Sequence, residues 1–138
     1  VEETRGMVVH IGWSHVTPMG ADSPVLKDTV AQLKDYFNGS NAPFNLPLKP
    51  TGTPFQQQIW SALCKIPYGQ TWTYGKLAKK VKAAPRAVGN ACRANPIPII
   101  IPCHRIVGAQ TIGGYSGRGG LDTKAALLDL ENQKTFLL

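Results

Sequence analysis

The chain is 138 residues long, 43% hydrophobic and formally charged +7 at pH 7. No uninterrupted apolar run approaches the roughly 20 residues that cross a bilayer, so we expect no membrane partner. The length suits one compact domain with a small appendage.

Acidic residues are absent from a long central stretch, because no Asp or Glu occurs between Asp35 and Asp122. Such segregation of charge is typical of proteins that bind polyanions. Nucleic acid is therefore the expected partner, and a merely solvated basic surface is the alternative. The stretch contains ten basic residues: Lys49, Lys65, Lys76, Lys79, Lys80, Lys82, Arg86, Arg93, Arg105 and Arg118.

The three cysteines, Cys64, Cys92 and Cys103, are odd in number and widely spaced. This pattern indicates neither a disulfide framework nor a zinc site, and it favours free thiols in a reducing compartment. Residues 1–5 are charged and lack the features of a secretory signal. We expect a cytoplasmic location, or a nuclear one in a eukaryote, with no metal and no cofactor.

The N-terminal third predicts one strand and one helix. Residues 7–11 form a short apolar run, and Pro24 stands at the expected first position of the helix. Four prolines at 43, 47, 50 and 54 predict an extended linker after it. We therefore place a domain boundary after residue 50, which gives regions 1–50 and 51–138. In the helix that begins at Pro24, the predicted apolar stripe comprises Leu26, Val30, Leu33 and Phe37. Asn38 and Gly39 are expected to end this helix.

The chain from residue 55 onward predicts several short helices. Phe55, Ile59, Leu63 and Ile66 recur at helical spacing. A short helix near 75–81 and a second one from Pro85 suggest helix-turn-helix. The second helix is rich in small residues, namely Ala84, Ala87, Gly89 and Ala91, which permit close approach of its backbone to a ligand.

The C-terminal part predicts a buried strand, a wing and a last helix. The β-branched run 99–101 favours a strand that delivers Cys103. Glycines between 108 and 120 predict a loop or wing. The last helix is expected to run to about Asn132, on a stripe of Leu121, Ala125 and Leu128.

Cys103 is the candidate nucleophile. A thiol reacts as the thiolate and needs a nearby base or positive field, and His104 and Arg105 follow it directly. Neighbouring side chains of an extended chain point to opposite faces, so adjacency alone leaves Cys–His chemistry open.

The run NPIPIIIPCHRIV at residues 95–107 closely resembles the active-site signature of the O6-alkylguanine-DNA alkyltransferases. The likeness extends over about residues 53–132. It includes FQQQIW at 55–60, TYG at 73–75, RAVG at 86–89, GYSG at 114–117 and LLDLE at 127–131.

This resemblance implies a mainly helical α+β fold. A short remnant of an α/β domain would precede a C-terminal winged-helix-like helix-turn-helix domain with a buried active-site cysteine. The implied activity is that of a single-turnover methylated-DNA–protein-cysteine S-methyltransferase in DNA repair. It would act as a monomer on duplex DNA, turn out O6-alkylguanine, with O4-alkylthymine as a further substrate, and keep the alkyl group on Cys103.

The resemblance also implies roles for individual residues. His104 would take the thiol proton through a water, Glu131 would orient the imidazole, Asn95 would support the site, and Tyr74 would donate toward guanine or assist nucleotide rotation. The DNA-binding set is Arg86, Ala87, Gly89, Arg93 and Tyr74, with Arg86 filling the gap left by the flipped nucleotide and the helix in the minor groove. The base pocket would comprise Tyr115, Ser116, Ile106 and Pro98.

The sequence departs from the family pattern in three places. The N-terminal region and the connection 77–86 are shorter than usual, and Arg118 and Gly119 form an insertion. The resemblance therefore leaves the pocket size and the preferred alkyl group open. The alternatives are a non-catalytic binder of alkylated DNA, which Cys103 disfavours, and a winged-helix regulator. A thiol hydrolase accounts less well for the basic stretch.

Overall fold

The computed structural model describes residues 1–12, 23–109 and 120–136 of the chain, and side chains of the last helix as far as residue 132. Within these ranges the fold is α+β and mainly helical. No described helix is long and apolar enough to cross a membrane. The elements are β1 (Glu2–Thr4), β2 (Met7–His10), α1 (Pro24–Phe37), α2 (Pro54–Leu63), β3 (Trp72–Thr73), α3 (Tyr74–Val81), α4 (Pro85–Arg93), a 3₁₀ turn (Cys103–Arg105), β4 (Ile106–Val107) and α5 (Leu121–Phe136).

The proline-rich segment after α1 pairs with the N-terminal hairpin. The amide of Val8 donates to the carbonyl of Pro47 at 2.7 Å, and the amide of Lys49 donates to the carbonyl of Val8 at 2.8 Å. Val8 is fully buried in the same apolar cluster as Ile59 and Trp60. The extended conformation is as predicted as far as residue 53, but Pro54 opens α2, because proline is well suited to the first turn of a helix, and the segment is tied to β2. The domain boundary after residue 50 stays a prediction.

Helix α1 buries a face that matches the predicted one only in part. Tyr36 is only 3% exposed, whereas Phe37 is 51% exposed and Val30 also faces solvent. Leu33 packs against the core as predicted, but the prediction is wrong for Val30 and Phe37. Tyr36 and Thr29 can be buried because their hydroxyls have partners: Tyr36 donates to Glu131 and Thr29 to the Val25 carbonyl.

Helices α2, α3 and α4 form the core of the C-terminal part. Thr53 caps α2 in a capping box, and the indole of Trp60 donates to the Ala91 carbonyl at 2.9 Å, which ties α2 to α4. Helix α3 joins α4 through a tight connection in which Lys82 has φ +56°. The predicted helix-turn-helix pair is therefore present.

Two short parallel strands join this pair to the cysteine segment. Strand β3 precedes α3 directly, and it pairs with β4 in the register Trp72 to Ile106 and Thr73 to Val107. Residues 72–73 and 106–107 are consequently held side by side.

The strand predicted at 99–101 is wrong. These residues are buried, but their amides bond within turns: Ile100 donates to Pro98 and Ile101 to Ile97, both at 2.9 Å. The prolines of this segment lack amide donors, which disfavours a ladder. Ile99 has φ +72°, a strained value for a β-branched residue that the surrounding packing must hold.

Helix α5 extends past the predicted end at Asn132. Its buried positions are Lys124, Leu127 and Glu131, whereas Leu121 is 50% exposed, so the predicted apolar stripe is also wrong. This face is selected because Glu131 and Lys124 find polar partners in the segment packed against α5, namely Arg105 and the carbonyl of Ile106. Most of the predicted wing, with Arg118 and Gly119, lies outside the described residues.

Candidate active site

Cys103 opens a buried 3₁₀ turn. The Cys103 amide donates to the Ile101 carbonyl at 2.8 Å, and the Arg105 amide donates to Pro102 at 3.0 Å. Cys103 is 7% exposed and His104 is fully buried. Because the backbone turns here, the opposite-face argument against Cys–His chemistry, which assumes an extended chain, does not apply.

His104 is tied to helix α5 through Glu131. Its Nε2 lies 2.5 Å from Oε2 of Glu131, so we assign the ring proton to Nε2. Among the described residues no protein group bonds Nδ1 of His104, which is buried. Burial lowers the pKa of His104 more than the Glu131 carboxylate raises it. The ring is therefore a neutral base whose free lone pair is on Nδ1.

Glu131 accepts hydrogen bonds from several elements. Arg105 donates from Nε to Oε1 at 2.8 Å and from Nη2 to Oε2 at 3.2 Å, while Tyr36 donates its hydroxyl to Oε2 at 2.6 Å. The amide of Gly69 lies 3.4 Å from Oε1. Burial alone would raise the pKa of Glu131, but the bonds from His104, Arg105 and Tyr36 outweigh it and hold that pKa at about 2. The carboxylate stays ionised at neutral pH.

Asn95 and Lys124 favour the thiolate of Cys103. Burial raises the pKa of Cys103, and both the Asn95 amide and the Lys124 ammonium oppose this rise. Asn95 also fixes the loop, since its Nδ2 donates to the Ile101 carbonyl at 2.8 Å and its Oδ1 accepts from the Ile97 amide at 2.9 Å. At rest Cys103 is therefore a buried thiol, and Asn95 and Lys124 favour its deprotonation.

Lys124 was not among the predicted site residues. It is fully buried, and its Nζ donates to the carbonyl of Ile106 at 2.5 Å. One signal was available in the sequence: Lys124 precedes Glu131 by seven residues, so both lie on one face of a helix. Tyr36, the other residue missed, carried no comparable signal, since its partner is 95 positions away.

Tyr74 connects the helix pair to this site. It is half-buried at the start of α3, and its ring centroid lies 5.8 Å from Nζ of Lys124. An added Cβ at Gly89 of α4 would lie 3.9 Å from Cε1 of Tyr74. Tyr74 is thus close both to the backbone of α4 and to the ammonium group of Lys124.

Residues 54–133 match the family model of the 6-O-methylguanine DNA methyltransferase, DNA binding domain. The chain belongs to this family. A probable methylated-DNA–protein-cysteine methyltransferase of Acanthamoeba polyphaga mimivirus is 47% identical over 113 residues, which cover 80% of this chain and 74% of that protein. The resemblance inferred from the sequence motifs is confirmed.

Solved structures agree with this membership. A Mycobacterium tuberculosis OGT crystallised in complex with DNA is 48% identical, with a TM-score of 0.74 over 78% of this chain and 68% of that one. The O6-methylguanine-DNA methyltransferase of Pyrococcus kodakaraensis is 28% identical, with a TM-score of 0.61 over 93% and 88% of the two chains.

The methyltransferase's predicted catalytic residues come together in this fold: Cys103, His104 and Glu131 are buried, half-buried Asn95 bonds to the loop before Cys103, and Tyr74 lies beside Lys124. Ile106 is fully buried in the core, and Pro98 is buried as well. Their assignment to the base pocket stays a prediction. Tyr115 and Ser116 lie outside the described residues.

Four DNA-binding candidates occupy helix α4. Arg86 is exposed in its first turn, Ala87 and Gly89 are half-buried, and Arg93 is exposed at its end, where it donates to Asn90. No group of three His, Cys, Asp or Glu side chains that could hold a metal ion occurs in the part of the chain that the structure describes.

Proposed function

We propose that Cys103 is the residue on which this methyltransferase takes up an alkyl group from O6-alkylguanine in duplex DNA. The observation that supports this assignment best is the buried His104–Glu131 pair, 2.5 Å between Nε2 and Oε2, directly after the cysteine in a 3₁₀ turn. The other two thiols, Cys64 and Cys92, are followed by the exposed residues Lys65 and Arg93 and not by a buried histidine.

The proton of Cys103 goes to Nδ1 of His104, through a bridging water. The Nε2–H bond to ionised Glu131 then stabilises the imidazolium. The sulfur attacks the alkyl carbon, the carbon–O6 bond breaks, and its electron pair stays on guanine. Guanine takes up one proton, for which Tyr74 is the proposed donor, so atoms and charge balance.

The product is a thioether at Cys103. A carbon–sulfur bond of this kind is not hydrolysed by a neutral histidine and a carboxylate, so the cysteine is consumed. Each chain therefore acts once. One chain supplies the nucleophile, the base and the DNA-binding helix, and we propose that it works as a monomer.

Helix α4 is the proposed DNA-contacting element, with Arg86 entering the stack in place of the extruded nucleotide. Such replacement lowers a flipping cost of a few kcal/mol. The half-buried Ala87 and Gly89 would let the backbone approach a minor groove. Exposed basic residues of α3 would add phosphate contacts; they are Lys76, Lys79, Lys80 and, in the connection, Lys82.

Peptide mass spectrometry tests this assignment. Incubation with duplex DNA containing O6-methylguanine should add one methyl mass to the Cys103 peptide, in one-to-one stoichiometry, and leave the Cys64 and Cys92 peptides unchanged. The Cys103→Ser variant should bind the same duplex and remain unmodified. Binding without methylation of the unaltered chain would instead favour a lesion-binding protein.

A further inference from the structure

A side chain of the N-terminal region, that of Tyr36, reaches the proposed catalytic network. Tyr36 lies in the last turn of α1 and is 3% exposed. Its hydroxyl donates to Oε2 of Glu131 at 2.6 Å, the same oxygen that accepts from Nε2 of His104. A phenol and an imidazole therefore share one carboxylate oxygen.

The ring of Tyr36 is fixed by aromatic neighbours. Its centroid lies 5.4 Å from that of Phe37, 5.6 Å from that of Phe44 and 6.2 Å from that of Tyr68. Burial and the neighbouring carboxylate raise the pKa of Tyr36, so the phenol stays protonated and remains a donor. The hydroxyl is thus held on Glu131 by packing and does not titrate in the working range.

We propose that Tyr36 is a positioning residue for alkyl transfer, which acts through Glu131 to limit the basicity of His104. This inference depends on the proposed role of His104 as the base. A donor on Oε2 draws negative charge away from the bond to Nε2, so the imidazolium is stabilised less than by Glu131 alone. The base then stays neutral, and able to accept the thiol proton, at lower pH.

The other groups around His104 constrain the size of this effect. Glu131 and Lys124 face it from α5, Cys103 and Arg105 from its own turn, and Tyr68 faces Glu131 from the connection after α2. Arg105 already donates to both oxygens of Glu131. Removal of the Tyr36 hydroxyl should therefore change the basicity of His104 without breaking the hydrogen bond between His104 and Glu131.

The test is the pH dependence of the reaction with free O6-benzylguanine, which avoids DNA binding. In Tyr36→Phe the acid limb of the rate profile should move upward by about half a pH unit, since the pKa of His104 rises without the competing donor. Tyr36 lines a cavity of about 340 Å³ with Phe44 and Tyr68, so the isosteric change is needed to keep solvent away from Glu131. Tyr68→Phe is the matched control; its hydroxyl lies 3.4 Å from the Leu130 carbonyl, and its profile should not move.

A second variant reverses the sign and keeps the ring. Replacement of Tyr36 by 3-fluorotyrosine makes the phenol a stronger donor, so the acid limb should move to lower pH. The ¹⁵N chemical shifts of the His104 ring, followed over the same pH range, should report the same two opposite displacements without any alkyl transfer.

The pH profiles of the Tyr36 and Tyr68 variants distinguish a positioning role of Tyr36 from a packing role. Opposite shifts in the two Tyr36 variants, with none in Tyr68→Phe, support the inference. An unmoved profile, a loss of rate that is uniform with pH, or equal shifts in the Tyr68 control would overturn it and leave Tyr36 a packing residue. If the unaltered chain does not react, the proposed function fails, while the His104 titration still decides the role of Tyr36.

Discussion

The buried ammonium of Lys124 donates to the backbone carbonyl of Ile106 at 2.5 Å, three residues after Cys103. Lysine is almost never fully buried unless it is paired, and Lys124 is fully buried. Here it provides a positive field that lowers the pKa of Cys103 against the effect of burial.

Replacement of Lys124 by methionine should therefore slow the reaction of Cys103. The positive field is lost while the side-chain volume is roughly kept, so the thiol pKa should rise and the neutral-pH rate should fall. The measurement is the pH dependence of iodoacetamide labelling of the Cys103 peptide. Lys34→Met, at an exposed position of α1, should leave the midpoint where it is. An unmoved midpoint in Lys124→Met would contradict the field effect.

The ionised Glu131 should contribute stability that disappears in acid. Its pKa falls from the ordinary 4.5 to about 2 in the folded chain, so the contribution is present above about pH 5 and is lost between about pH 5 and pH 2. The difference corresponds to about 3 kcal/mol.

Urea unfolding of Glu131→Gln and the unaltered chain at several pH values checks this. The gap in unfolding free energy should be largest near pH 7 and should shrink as the pH falls toward 2.5. Asp129→Asn removes an exposed carboxylate from the same helix and should have a small effect throughout. A difference in unfolding free energy between Glu131→Gln and the unaltered chain that stays constant with pH would rule out a stabilising contribution from the ionised Glu131.

Arg86→Ala should separate DNA chemistry from thiol chemistry. The side chain is exposed in the first turn of α4, away from the buried network, so the rate with free O6-benzylguanine should not change. The rate with duplex O6-methylguanine should fall about 10- to 100-fold, because the flipped state loses its replacement partner. Arg93→Ala is the comparison: it should weaken duplex binding and reduce the salt slope by about one contact. Equal losses on both substrates in Arg86→Ala would remove its proposed role.

Gly89→Ala should stabilise the protein while lowering its affinity for DNA. The added Cβ would make only ordinary contact with Tyr74, at 3.9 Å, and alanine favours a helix by up to about 1 kcal/mol. Thermal unfolding should show the gain, and duplex titration should show a loss of affinity of several-fold. An unchanged affinity would mean that α4 does not approach DNA through this backbone.

The sequence predicted elements best where local signals were strong. Pro24, the stripe of α2 and the start at Pro85 gave three helices correctly, because capping and spacing act within a few residues. It failed at 99–101, where β-branched residues favoured a strand but neighbouring prolines imposed turns. It also chose Phe37 over Tyr36, because hydrophobicity alone does not reveal that a distant carboxylate satisfies a buried hydroxyl.

The site residues were likewise predicted where a sequence motif identifies them and missed where only the fold brings them together. The motif around Cys103 and the resemblance it supports selected Asn95, His104 and Glu131, which the fold brings together. Lys124 and Tyr36 were missed, since their roles arise from contacts that only the folded chain creates. Arg105 was predicted to supply a positive field beside Cys103, yet its buried guanidinium bonds to Glu131.

The two-residue ladder between β3 and β4 limits where this protein can accept insertions and deletions. Because Thr73 is in register with Val107, one residue added to either strand would change the face that Tyr74 or the cysteine turn presents. Length variants should therefore be tolerated in the connection between α3 and α4 and not at positions 72–73 or 106–107. A library of single-residue insertions would show this as two short intolerant windows, 34 positions apart along the chain, which correspond to a single place in the fold.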